Sequence, residues 1–107
     1  MTSIILTVSC AEDGFNVVAN DCAQIDGING VIRGYGYSDL NFLTAHMCDW
    51  KHPQTLTFGG GYNLFPDDDF LKYMDTIEWQ CPANAVLVLQ PEWGDTIVWR
   101  PRSYSPD

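Results

Sequence analysis

The segment AVLVLQPEWGDTIVWR, residues 85–100, carries the clearest strand signals in this chain of 107 residues. Residues 86–89 are consecutively apolar, which is typical of a strand that lies inside a sheet with both faces covered. The turn sequence PEWGD separates this run from TIVWR, residues 96–100. Two β-type runs joined by a short turn containing glycine predict a hairpin. We therefore expect residues 85–90 to form a strand that is central in its sheet.

Other runs of apolar and β-branched residues predict the remaining strands. Residues 3–9 read as a buried first strand, and the turn sequence EDG predicts a hairpin to a short strand at residues 15–19. The sequence VIRGYGY, residues 31–37, alternates well enough to predict another strand, with its glycines indicating a bulge. Residues 54–58, QTLTF, predict a short strand before a run of glycines.

Two segments have the spacing of amphipathic helices. Ser38 is a good N-cap for the first of these, which Pro53 ends. The apolar positions of this predicted helix are Leu40, Leu43, Met47 and Trp50. The second helix is predicted over residues 67–77, with Phe70, Leu71, Met74 and Ile77 directed inward and Asp68 and Lys72 on the solvent side.

These elements predict an α+β fold. We expect a single small domain over residues 1–107, with a mostly antiparallel sheet of about five strands and two helices packed on it. The tail, residues 101–107, is expected to be loose.

Charge restricts the classes of partner. Fourteen acidic residues against five basic ones give a formal net charge of -9. Such a field repels nucleic acid and anionic membranes and attracts basic protein surfaces. The alternative is that the charge serves only to keep the protein in solution. The segment MTSIILTVSC lacks the features of a signal peptide, and no apolar run approaches the roughly 20 residues of a membrane span. A cytoplasmic location is expected.

The segment GGGYNLFPDDDF, residues 59–70, is the stretch that most resembles a site of chemistry. A phosphate loop is excluded, because no lysine follows the glycines and three aspartates occupy the place of the phosphate. Adjacent aspartates point in different directions, which disfavours a calcium loop. The carboxylates of Asp67, Asp68 and Asp69 are instead suited to the positive end of the helix dipole, with Pro66 at the helix entrance.

Cysteine and histidine offer a weaker alternative. In a helix, His46 and Cys48 lie on nearly opposite sides and cannot grip one zinc ion, but Cys48 and His52 with a distant Cys22 or Cys81 remain a conceivable site. Together with Cys10, these cysteines form no CxxC pair, so free thiols are expected in a reducing compartment and two disulfides only after export. No catalytic residue, metal or cofactor is predicted.

Tryptophan and tyrosine are abundant, and Trp93 is the most notable because a hairpin turn seldom buries a tryptophan. Aromatic side chains surrounded by acids are typical of a protein-binding hot spot, and the alternative is that Trp93 folds back over its own hairpin. The predicted partner-binding residues are Asp67, Asp68, Asp69, Asp75, Glu78, Glu92, Trp93 and Asp95.

Size and charge together favour a non-enzymatic acidic inhibitor that blocks a basic, nucleic-acid-handling protein, such as a nuclease or a nucleic-acid-binding complex. Immunity proteins against nuclease toxins and phage anti-CRISPR inhibitors share this general profile, which is an analogy of class. No direct contact with nucleic acid or membrane is expected. The alternatives are a small enzyme or ligand-binding or metal-binding domain that uses Cys48 and His52, and a structural subunit that assembles through its sheet edge.

Overall fold

The computed structural model describes residues 1–10, 21, 23–46, 54–79, 82 and 85–102. Within these residues, five strands and two helices form a small α+β domain, which confirms the predicted fold class. In chain order the elements are β1 Thr2–Cys10, α1 Ala23–Gly34, β2 Asn41–His46, β3 Gln54–Tyr62, α2 Asp67–Met74, β4 Val86–Gln90 and β5 Ile97–Trp99.

The sheet has the strand order β2-β3-β1-β4-β5, and every neighbouring pair is antiparallel. Strand β1 is therefore central, and β4, which was predicted to be central, lies beside it. The connection through α1 joins β1 to β2 with β3 between them, and the connection through α2 joins β3 to β4 with β1 between them. This is the split β-α-β connectivity, which occurs with many functions and by itself indicates none.

The core lies on one face of the sheet. Along β1 the side chains of Thr2, Ile4, Leu6 and Val8 are buried, whereas the intervening Ile5 is exposed, as the two-residue period of a strand requires. The helices contribute to the same core with their apolar faces, which include Ile25, Ile28, Ile32, Phe70 and Met74.

The carboxyl-terminal hairpin is confirmed. Strands β4 and β5 pair antiparallel, and Gly94 in their turn has a φ of 110°, a conformation that favours glycine. The expectation that both faces of β4 are covered was wrong. Leu87 and Leu89 are buried on the core face, but Val86 and Val88 on the other face are only half-buried.

The strand predicted at residues 31–37 was wrong, because residues 31–34 form the last turn of helix α1 and residues 35–37 follow it. Ile25, Ile28 and Ile32 fall on one helical face, and the helix glycines Gly27, Gly30 and Gly34 lie on the exposed side. The helix ends in a Schellman motif at Gly36, whose φ is 96°: its N–H donates to the Arg33 carbonyl, and the next N–H reaches back to Ile32.

The helix predicted from Ser38 was also wrong, because Asn41–His46 is edge strand β2. Its pairing with β3 has a register shift between Phe42 and Thr44, and this irregularity breaks the two-residue period that would have marked a strand in the sequence. The spacing of Leu40 and Leu43 that favoured a helix is overridden by pairing with β3.

The glycine run lies inside β3, which extends four residues beyond the predicted strand. A Cβ added at Gly60 would lie only 2.5 Å from the hydroxyl oxygen of Tyr62 and 2.8 Å from Cζ of the same ring. Tyr62 is buried, stacks on Phe65 at a centroid distance of 5.2 Å, and donates a hydrogen bond of 2.8 Å to the Ser38 carbonyl. The Tyr62 ring therefore occupies the space that a side chain at position 60 would need.

We expect Gly60→Ala to lower the free energy of unfolding by about 2 kcal/mol, because the added methyl displaces a ring fixed by packing and a hydrogen bond. Gly30→Ala is the matched control. It adds the same methyl to an exposed helical position with no atom within 4 Å, and should stabilise the protein by about 0.5 to 1 kcal/mol. Urea unfolding of both variants measures the contrast, and a Gly60→Ala protein as stable as the wild type would contradict it.

Helix α2 begins at Asp67 as predicted and ends at Met74, three residues earlier than predicted. Phe70 and Met74 are buried, Leu71 and Ile77 are half-buried, and Asp68 and Lys72 are exposed. Pro101 is buried and Arg102 pairs with Asp75, so the predicted loose tail begins no earlier than residue 103.

Several predictions fall outside the described residues: the strand at residues 15–19, the residues Met47, Trp50 and Pro53, and the tail from 103. The same is true of Cys22, Cys48, His52 and Cys81 and of the side chains of Cys10 and His46. In the part of the chain that is described, no helix has both the length and the apolar character needed to cross a membrane.

Candidate partner-binding site

Two turns meet at one end of the sheet and enclose a cavity of about 310 Å³. The acidic cavity, as we call it, is lined by Thr2, Leu64, Phe65, Asp67, Glu92 and Trp93. One turn follows β3 and the other follows β4. In the register of the sheet, Tyr62 at the end of β3 lies beside Thr2, and Gln90 at the end of β4 lies beside Ser3. Because β3 and β4 run in the same direction, both turns emerge next to the start of β1.

Hydrogen bonds hold the first turn in place. Leu64 has a φ of 56°, a left-handed conformation that costs a non-glycine residue roughly 1 to 2 kcal/mol. Its N–H donates a hydrogen bond of 2.7 Å to Oε1 of Glu92 in the second turn. The Tyr37 hydroxyl donates to the carbonyl oxygens of Asn63 and Leu64. The two turns are thus tied directly to each other.

Asp67 supplies one of the two carboxylates that line the cavity. Its side chain is half-buried, and its Oδ1 is shielded from solvent without a hydrogen-bond partner. Burial raises the pKa of Asp67, the Thr2 side-chain hydrogen bond partly opposes this shift, and the nearby Asp68 and Glu92 carboxylates raise the pKa further. A cation entering the cavity would relieve both the missing hydrogen bond and the carboxylate repulsion.

Large apolar side chains stand beside these carboxylates. Trp93 is 86% exposed and Leu64 is 83% exposed, although both belong to well-defined turns. Trp93 therefore does not fold back over its hairpin. Glu92 is half-buried, and in addition to its bond to Leu64 it lies 3.6 Å from the amino group of Met1. The predicted hot spot thus consists of exposed aromatic and aliphatic groups beside half-buried carboxylates.

The structure brings together only part of the predicted site. Asp67, Glu92 and Trp93 line the acidic cavity, Asp68 and Asp69 are exposed in the first turn of the same helix, and Asp95 is exposed in the same hairpin turn as Trp93. Sequence reasoning had left open whether the two acidic segments share a face, and at the acidic cavity they do.

Asp75 and Glu78 lie at the opposite end of α2. Asp75 Oδ1 accepts a hydrogen bond of 3.0 Å from the indole N–H of Trp99, and Oδ2 lies 3.3 Å from Arg102. These contacts tie the helix to β5, so the Asp75 carboxylate is used within the protein. Glu78 is exposed, and its backbone carbonyl accepts a hydrogen bond from Gln24. We leave both residues out of the site.

Sequence reasoning missed Leu64 and Thr2. A leucine between asparagine and phenylalanine gives no sign of a left-handed turn residue, because glycine or asparagine usually fills that conformation. Thr2 reaches the cavity only because its strand is central. No group of three or more metal-ligating side chains occurs among the residues that the structure describes.

Comparison with protein-family models, with curated proteins and with solved structures finds no match to this chain.

The raised pKa of Asp67 predicts a specific pH dependence of stability. The pKa of Asp67 is about 3.8 in the unfolded chain and higher in the folded protein, so the folded protein binds this proton more tightly. The stability that protonated Asp67 contributes is therefore fully present below pH 3.8 and is lost as the pH rises through the folded pKa. We expect Asp67→Asn to abolish this loss. Urea unfolding between about pH 3 and pH 7 measures the free energy of unfolding of both proteins. The variant should become more stable relative to the wild type as the pH rises above 3.8, and should keep this advantage at neutral pH.

Asp68→Asn is the control, because it removes one charge from the exposed side of the same helix turn. If both variants gain the same stability relative to the wild type, the effect comes from general charge repulsion and not from burial of Asp67 at the cavity.

Proposed function

We propose that the protein is a non-enzymatic acidic inhibitor that binds and blocks a basic, nucleic-acid-handling protein. Immunity proteins against nuclease toxins and anti-CRISPR inhibitors are the classes that act in this way. The observation that carries the proposal is the acidic cavity, in which the carboxylates of Asp67 and Glu92 lie beside the exposed Trp93.

The cavity has the chemistry to receive one cationic side chain of the partner. Its volume of about 310 Å³ is at the lower limit of ligand pockets, which suits a single lysine or arginine side chain better than a large ligand. A guanidinium group offers several N–H donors to Asp67 Oδ1 and Glu92, and its flat face can stack on the Trp93 indole. A partner surface that binds nucleic-acid phosphates presents lysine and arginine side chains of this kind. The inhibitor would bind these side chains in place of the nucleic acid.

The surrounding charge supports fast association. Asp68, Asp69 and Asp95 are exposed near the cavity, and the chain carries a net charge of -9. Opposite charges increase the rate of encounter, and their effect falls as salt screens them. Buried contacts of Trp93 and Leu64 would then slow dissociation.

Affinity capture from a lysate of the native host tests the proposal. The wild type should retain one basic nuclease or nucleic-acid-binding protein, and high salt should release it. Added nucleic acid should compete for the partner, because both ligands are proposed to use the same basic surface. A retained protein that is acidic, or that nucleic acid does not displace, would contradict the proposal.

A pair of variants with equal charge sharpens this experiment. Asp67→Asn with Asp68→Asn should abolish capture. Asp26→Asn with Asp39→Asn removes the same two charges from the region of α1 and should preserve it. The Asp39 pair with Arg33 is exposed, so its loss should change stability by less than about 1 kcal/mol. Equal loss in both variants would mean that net charge, not the cavity, binds the partner.

A further inference from the structure

The face of the sheet opposite the helices carries an apolar row that crosses all five strands. In the register, Ile5 on β1 lies between Gly59 on β3 and Val88 on β4, and Val88 pairs with Val98 on β5. The side chain of Leu43 from β2 lies over Gly59, where an added Cβ would be 2.7 Å from its Cδ1. We call Leu43, Ile5, Val88 and Val98 the outer row.

Three of the four residues of the outer row are open to solvent, and Val88 is half-buried. Leu43 is 53%, Ile5 is 45% and Val98 is 65% exposed. An antiparallel sheet with one solvated face normally places polar side chains there. Around the row, the outer face has hydroxyl and amide groups from Ser3, Thr57 and Gln90, but the five strands of the described structure contain no Asp, Glu, Lys or Arg. The described carboxylates all belong to helices, turns and loops.

We propose that a second copy of this chain covers the outer row, so that the protein forms a two-fold dimer through its sheet faces. The five described strands bring no carboxylate to this face for a basic partner to pair with. A face whose strands carry apolar, hydroxyl and amide groups but no charge is complementary to another such face, and a second copy supplies one. This inference does not depend on the proposed inhibitor function.

The geometry suits a self-complementary contact. Because β1 is the central strand, Ile5 lies near the middle of the row, and a two-fold axis close to Ile5 would place each half of the row against the other half of its partner. The acidic cavity is formed by turns around Thr2 and α2, whose buried side chains belong to the opposite face. A dimer of this kind would leave two acidic cavities free for partners.

The size of the face predicts a low affinity. The face is five strands wide, at about 4.8 Å per strand, and about five residues long, at about 3.4 Å per residue. Its flat area is therefore roughly 400 Å², without the additional surface of the protruding side chains. Stable interfaces bury about 800 Å² of accessible surface on each partner. We therefore expect a weak, reversible dimer rather than a permanent one.

Salt separates this contact from the contact with a basic partner. Two copies, each with a net charge of -9, repel one another, and salt screens this repulsion while leaving an apolar contact intact. Salt should therefore strengthen the dimer, whereas it should weaken binding at the acidic cavity.

Sedimentation equilibrium of the full chain, from about 10 µM to about 1 mM and at about 50 and 500 mM salt, tests the proposal. The wild type should dimerise more tightly at the higher salt. Ile5→Asp with Val98→Asp should be monomeric throughout the range, and Ile5→Thr with Val98→Thr, which retains β-branched residues in both strands, should weaken the dimer at least tenfold. Leu64→Asn alters the acidic cavity and should dimerise like the wild type.

Three results would overturn the proposal. The first is a monomeric wild type at about 1 mM in high salt. The second is a dimer that salt weakens. The third is a dimer that the threonine double variant leaves unchanged, which would assign the contact to a sheet edge or another surface. Circular dichroism of each variant confirms its fold, and the threonine variant decides the test if the aspartate variant does not fold. None of these outcomes bears on partner capture by the acidic cavity.

Discussion

Phe70→Ala is expected to lower the free energy of unfolding by about 3 to 5 kcal/mol. The Phe70 side chain is fully buried, and its ring meets the Phe65 ring edge to face at a centroid distance of 5.2 Å. Truncation removes one of the two fully buried side chains of α2, the other being Met74, and leaves a cavity that a small core fills poorly. Since small domains are stable by only about 5 to 15 kcal/mol in total, this single change should leave the protein close to unfolding.

Phe42→Ala is the matched control for this prediction. It removes the same atoms from edge strand β2, where Phe42 is 58% exposed and contacts Phe58 at 6.0 Å. We expect a loss of about 1 kcal/mol or less. Urea unfolding at neutral pH measures both values. If the two variants lost equal stability, α2 would not be packed on the sheet as described, and the position of Asp67 in the acidic cavity would lose its basis.

Some elements could be predicted from the sequence because the local pattern and the tertiary environment agree. In α2, Phe70 and Met74 are four residues apart and both reach the core, and acidic residues occupy the first turn. In the carboxyl-terminal hairpin, Gly94 adopts the backbone conformation that its sequence position indicates. Strand β1 has consistent β-type residues along its length. At these places each local preference favours the same fold.

Helix α1 and strand β2 were mispredicted because their local sequence patterns favour a different secondary structure. Gly34 and Gly36, at the end of α1 and in the turn after it, suggest a bulged strand from sequence, although Ile25, Ile28 and Ile32 have the spacing of a helix. In β2, the register shift at Leu43 interrupts alternation, and only pairing with β3 reveals the strand. Pairing between distant segments is information that local propensity does not contain.

The acidic cavity was predictable in its residue types but not in its assembly. Abundant acids and an unusual turn tryptophan indicated Asp67, Glu92 and Trp93. Their meeting depends on β3 and β4 both pairing with β1, which brings their following turns to one end of the sheet. The same arrangement supports the left-handed conformation of Leu64, because its N–H donates a hydrogen bond to Glu92 and its carbonyl accepts one from the Tyr37 hydroxyl.

Trp93→Ala is expected to weaken binding of the captured basic partner by about 2 to 4 kcal/mol, or roughly 30-fold to 1000-fold. The indole is 86% exposed in the free protein, so its removal should cost little folding stability. In the proposed complex it stacks on the cationic side chain that enters between Asp67 and Glu92. Most of the loss should therefore appear as faster dissociation, which surface plasmon resonance measures directly.

Trp93→Phe and Phe42→Ala give this prediction its controls. Phe at position 93 retains a smaller aromatic face and should recover part of the affinity, as stacking on a cation requires. Phe42→Ala removes an exposed aromatic side chain away from the cavity and should leave affinity unchanged. The salt dependence should persist in Trp93→Ala, because the carboxylates remain and only the apolar anchor is lost. Full affinity in Trp93→Ala would exclude the acidic cavity as the centre of the interface and would leave the charge of the chain to act by steering alone.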